Sequence, residues 1–125
     1  MKYQREFPNQ LGAITAARRY VADLLENIPP APSFDVELMV SELATNCVRH
    51  TGSGFILSLD IDDADIRVEV TDTAPGTPQL RYPSPDQSSG RGLHIIEGLS
   101  DGWGVERDHR QSGKTVWFVY RVSNQ

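Results

Sequence analysis

Apolar residues recur along this chain with two different periods, and the alternation between them outlines the fold. Ile14, Ala17, Val21, Leu24 and Leu25 repeat at helical spacing, which predicts an amphipathic helix over residues 10–27. Ile28-Pro29-Pro30-Ala31-Pro32 then breaks it with a stiff connection. Ser33 is suited to cap a second helix, with Asp35 and Glu37 in the first turn, where acids favour the helix dipole. Val36, Val40, Leu43, Ala44, Cys47 and Val48 share one broad arc of that helix, and Thr51-Gly52-Ser53-Gly54 closes it.

The period shifts to two in the middle of the chain. Phe55, Leu57, Leu59 and Ile61 alternate with smaller or polar residues, as do Ile66, Val68 and Val70, and Asp62-Asp63-Ala64-Asp65 lies between them. That is a hairpin with one buried face. Residues 103–107 and 115–122 form a second hairpin, with Trp103 and Trp117 expected in the core. Residues 2–7 alternate before Pro8 and read as a short edge strand. Leu93, Ile95, Ile96 and Leu99 mark a short helix over residues 92–99, and the polar, proline-containing stretch 77–89 reads as a loop or lid. The sum is an α+β fold: a two-layer sandwich with a mixed, mostly antiparallel sheet covered on one face by helices.

Composition narrows the class of protein. A chain of 125 residues suits one domain, 1–125, with a core of its own. Cys47 is the single cysteine, so no internal disulfide can form and a reducing cytoplasm is the expected compartment. The polar start has no apolar core of a signal peptide, and no apolar run reaches membrane-spanning length. Net charge is −5 and no stripe of Lys and Arg is present, which points away from DNA or RNA as the main partner. Protein and small-molecule partners fit better.

Three short segments carry candidate chemistry. Glu42 and Asn46 are four apart on the second helix, at the edge of its apolar arc. A carboxamide oxygen is a hard ligand suited to Mg²⁺, and a neighbouring carboxylate can accept a proton from a hydroxyl. The same spacing also occurs on ordinary solvated helix rims. Asp72 ends a strand and is followed by Thr73-Ala74-Pro75-Gly76; an acid there can accept from the exocyclic amino group of a base, or can simply begin a turn. Gly90-Arg91-Gly92-Leu93 opens a helix, where free N–H groups favour phosphate, though a glycine pair can also be a plain cap. Gly113-Lys114-Thr115 looks superficially like a P-loop ending but sits in a hairpin turn leading into a strand, so that reading is rejected. His50, His94 and His109 lack the spacing of a zinc site.

Taken in order, the three segments resemble those of the GHKL ATPases. Glu42-Leu-Ala-Thr-Asn46-Cys-Val-Arg-His50 is similar to their N box, Asp72-Thr-Ala-Pro-Gly76 to their first glycine box, and Gly90-Arg-Gly92-Leu93 to their second. Ala74 stands where the family commonly has a glycine. The branch most resembled is that of the small stand-alone anti-sigma-factor serine/threonine kinases of actinobacterial type; residues 95–105 and 113–118 also fit it.

The resemblance implies ATP and Mg²⁺ as ligands. Asn46 would hold the metal and Glu42 would be the catalytic base. Asp72 would bind the adenine amino group, with Thr115 assisting through water and Gly76 lining the base pocket. Gly90, Arg91, Gly92 and Leu93 would shape the phosphate end, with Arg49 and His50 near the phosphates or lid. The implied partners are an anti-sigma antagonist and a sigma factor, and the resemblance leaves room for a homodimer. Two other functions compete. One is a non-catalytic module whose protein binding depends on nucleotide and regulates transcription. The other, ranked last, is the ATP-binding half of a histidine kinase, since residues 1–10 offer nothing that could dimerise and present a phosphoacceptor histidine.

Overall fold

In a computed structural model of the protein, the described residues are 1–26, 33–72, 88–107 and 113–122, without the side chains of Ser33, His50, Thr51 and residues 88–91. Five strands and three α-helices follow in the order β1 (Lys2–Phe7), α1 (Gly12–Leu25), α2 (Ser33–Thr45), β2 (Phe55–Ile61), β3 (Asp65–Asp72), α3 (Ser88–Leu99), β4 (Gly102–Arg107) and β5 (Lys114–Arg121). One sheet has the order β1-β2-β3-β5-β4. All four pairings are antiparallel, where the sequence allowed a mixed sheet.

Strand alternation decides which side chains face the helices. Phe55, Leu57 and Leu59 of β2, Ile66, Val68 and Val70 of β3, and Val116 and Phe118 of β5 are buried. They form one core with Ala17 and Val21 of α1, Val36, Met39, Val40 and Leu43 of α2, and Ile96 of α3. The β2–β3 turn is held by Asp62, whose carboxylate accepts from the backbone N–H groups of Ala64 and Asp65 at 2.8 and 2.9 Å. These two bonds favour its charged form and lower its pKa. Helix α2 is tied to the sheet at its start, where the Tyr120 hydroxyl donates to Asp35 at 2.9 Å.

Three local expectations need correction. Trp103 packs against the core, but Trp117 does not. Its register partner is Glu69, on the sheet face away from the helices, where the Arg67 guanidinium lies 4.4 Å from the indole centroid. Alternation alone identifies two faces without saying which is buried; Val116 and Phe118 claim the core side, so Trp117 takes the other.

The second correction concerns α2, which does not close as an ordinary α-helix. Residues Asn46–Thr51 continue it as a wider π-helical turn. At the junction the Thr45 hydroxyl donates back to the Ser41 carbonyl at 2.7 Å, a contact that loosens the regular ladder. The turn ends on Gly52 with φ +66°, while the Ser53 N–H bonds the Cys47 carbonyl at 3.0 Å. Only glycine adopts that backbone at little cost.

Third, α3 begins at Ser88, four residues ahead of the expected start at Gly92, so Gly90 also lies inside it. The remainder of the expected lid, 77–87, lies outside the described residues, as do Ala74 and Gly76.

Candidate active site

The site is assembled where the end of α2, the start of α3 and the ends of β3 and β5 meet. Glu42 and Asn46 are half-buried at the rim of the core, as their place on the apolar arc predicts. Gly92 is buried against both of them. A Cβ on Gly92 would stand 3.3 Å from Glu42 Oε1 and 3.7 Å from Asn46 Nδ2. A methyl group there would touch both side chains and crowd the Glu42 carboxylate by a few tenths of an ångström. Leu93, next along α3, is half-buried. Gly90 and Arg91 belong to the first turn of α3, and Arg49 is exposed on the π-helical turn that also contains His50. The wider turn begins at Asn46 itself; such turns recur at functional sites because they re-aim side chains that a regular helix would fix.

Asp72 is the last residue of β3 and only 7 % exposed. It follows Ile66, Val68 and Val70 in phase, so it faces the helices. Gly113, immediately before β5, packs against it. A Cβ on Gly113 would lie 2.5 Å from the Asp72 carbonyl oxygen and 3.2 Å from Asp72 Oδ1, closer than backbone tolerates. Cys47 is buried beside the same acid. Burial, reinforced by the negative charge of Asp72 and opposed by Lys114, pushes its thiol up from an ordinary 9.0 to about 12. Cys47 is thus a neutral packing group at neutral pH, linking the turn after α2 to the acid.

Thr115 is not brought to this cluster. It pairs with Thr71, and the two hydroxyl oxygens are 2.7 Å apart on the sheet face opposite Asp72. The in-phase residue of β5 is Lys114, two before buried Val116. The alternation of Lys114, Val116 and Phe118 was available in the sequence and would have identified it.

Residues 7–120 match the histidine kinase-like ATPase domain family. Comparison with curated proteins returns no match. Among solved structures, the crystal structure of the RsbU and RsbW domains of Rv1364c from Mycobacterium tuberculosis is similar, with a TM-score of 0.75 at 18 % identity over 100 % of this chain. This chain spans 33 % of that one, and the likeness is one of fold. With its family match covering residues 7–120 of 125, the chain belongs to the histidine kinase-like ATPase domain family.

Proposed function

We propose that this protein binds ATP with Mg²⁺ and acts as a serine/threonine kinase on an anti-sigma antagonist, regulating transcription through a sigma factor in the cytoplasm. The observation that carries the reading is the packing of Gly92 against both Glu42 and Asn46, which gathers a carboxylate, a carboxamide and the start of a helix at one point. The match of RsbW-type architecture over the whole chain supports the choice of partner class.

The residues present fit a nucleotide and a metal by the chemistry of their donors. Asn46 offers one hard oxygen. Among the described residues no three His, Cys, Asp or Glu side chains gather as a metal site, so Mg²⁺ here would depend on Asn46, water and phosphate oxygens, its usual company. The metal, when bound, supplies neutralisation of phosphate charge. Asp72, buried and facing the helices, suits an exocyclic amino donor. Gly90, Arg91, Gly92 and Leu93 would line the phosphate end, with Arg49 and His50 beside it, and Gly76 would border the base.

Glu42 has the role of base. It accepts the proton of a partner serine or threonine hydroxyl as that oxygen bonds to the γ-phosphorus and the bond to ADP breaks. Its half-buried place beside Gly92 holds it next to the start of α3, where positioning serves the transfer.

Incubation with γ-labelled ATP, Mg²⁺ and the antagonist protein encoded nearest its gene tests the proposal. Label on a serine or threonine of the antagonist is the expected result. Nucleotide-dependent capture of the antagonist or a sigma factor, without label, would give the site to the non-catalytic module instead.

A further inference from the structure

The register of the sheet sets which side chain of β5 shares the face of Asp72. Lys114 has the same phase as Val116 and Phe118, the buried residues of β5. The pairs Val70↔Val116 and Thr71↔Thr115, continued by one residue, put Lys114 across from Asp72. The preceding residue, Gly113, already abuts Asp72 Oδ1 and its backbone carbonyl. Lys114 is half-buried, and its charge acts on buried Cys47 in the sense opposite to that of Asp72, as expected of two charges facing one interior from neighbouring strands.

We propose that Lys114 is a specificity-determining residue of the base pocket, its ammonium donating to the ring nitrogen next to the amino group that Asp72 accepts from. The inference rests on the nucleotide reading. Adenine presents an amino donor and the N1 acceptor side by side. A carboxylate satisfies the first and cannot satisfy the second; an ammonium has donors only. A lysine on a flexible stem supplies a compact charge at the point where Thr115, turned to the far face, cannot reach. Its bond to N1 is charge-assisted and correspondingly strong.

Calorimetric affinities of the whole chain for Mg-ADP and for Mg-1-deaza-ADP, in which C–H replaces N1, test this. The unaltered protein is expected to favour ADP by about tenfold or more. Lys114→Met should bring the ratio close to one, leaving affinity for the deaza compound nearly unchanged. Lys114→Gln, which keeps an N–H donor without charge, should retain part of the preference and serves as the second variant should the first fail to fold. An unchanged ratio in both variants overturns the assignment. So does an equal loss for both nucleotides, which would make Lys114 a phosphate contact, or tighter binding of GDP than ADP by the unaltered protein. If the unaltered protein binds neither adenine compound, the nucleotide reading itself falls; if it binds ADP normally, only the role of Lys114 is at stake.

Discussion

Gly113 and Asp72 meet so closely that a Cβ on the glycine would lie 2.5 Å from the acid's carbonyl oxygen. The contact is with backbone, and Asp72 is held in register with Phe55 of β2, so its carbonyl cannot yield cheaply. Gly113→Ala is therefore expected to destabilise the protein by about 1–3 kcal/mol, the usual cost of overpacking, and to weaken nucleotide binding by displacing Asp72. Gly98→Ala is the internal contrast. Nothing lies within 4 Å of a Cβ there, in the last turn of α3, so the same change should be neutral or stabilising by up to about 1 kcal/mol. Denaturant titration of both variants checks the pair, and equal effects would contradict it.

Glu42 and Asn46 should separate when each is truncated. Glu42→Ala is expected to leave nucleotide affinity nearly intact and to slow phosphoryl transfer by roughly 10²–10⁴-fold. Asn46→Ala should lose magnesium-dependent affinity together with activity, since it removes a metal ligand. Single-turnover transfer of labelled phosphate, measured beside equilibrium nucleotide binding, distinguishes them. Full kinase activity in Glu42→Ala would remove the base assignment while leaving the fold untouched.

Cys47 makes a prediction about pH. Its thiol is pushed up to about 12 in the folded protein, above the ordinary 9.0. The unfolded chain therefore loses this proton first as pH rises. The contribution to stability is whole below pH 9 and falls away as pH climbs towards 12. Tyr120, raised from 10.0 to about 12 by burial and by its bond to Asp35, acts in the same direction over the upper part of that window. Iodoacetamide at pH 8 should modify the protein rapidly in denaturant and hardly at all when folded. Fast labelling of the folded protein would place Cys47 outside the core.

Elements with a strong period were legible from the chain alone. The alternation of Phe55 to Ile61 and of Ile66 to Val70 led directly to β2 and β3, and the arc from Val36 to Cys47 to the buried face of α2. The pairing of Glu42 with Asn46 at the rim of that arc was legible for the same reason. What escaped depends on contacts distant in sequence. The buried face of β5 follows from Val116 and Phe118, but the partners of Trp117 and Thr115 on the outer face, Glu69 and Thr71, come only from strand pairing. That Gly92 meets Glu42 and Asn46 emerges only once α3 is packed on α2. Gly113 reads as an ordinary turn glycine until Asp72 is set beside it. The π-helical turn at Asn46 leaves no periodic trace, because five of its six residues are polar or small enough to suit either ladder.

The central claim is that Asp72, Asn46 and the start of α3 form one adenine-nucleotide site. Its most direct test is isothermal calorimetry with ADP, with and without Mg²⁺, on the unaltered protein and on Asp72→Asn. The account predicts magnesium-dependent binding by the unaltered protein. Asp72→Asn should bind ADP more weakly by roughly 1–3 kcal/mol and discriminate less against GDP, because an amide accepts without charge assistance. Absence of heat at millimolar nucleotide, or equal ADP affinity in the two proteins, would contradict it.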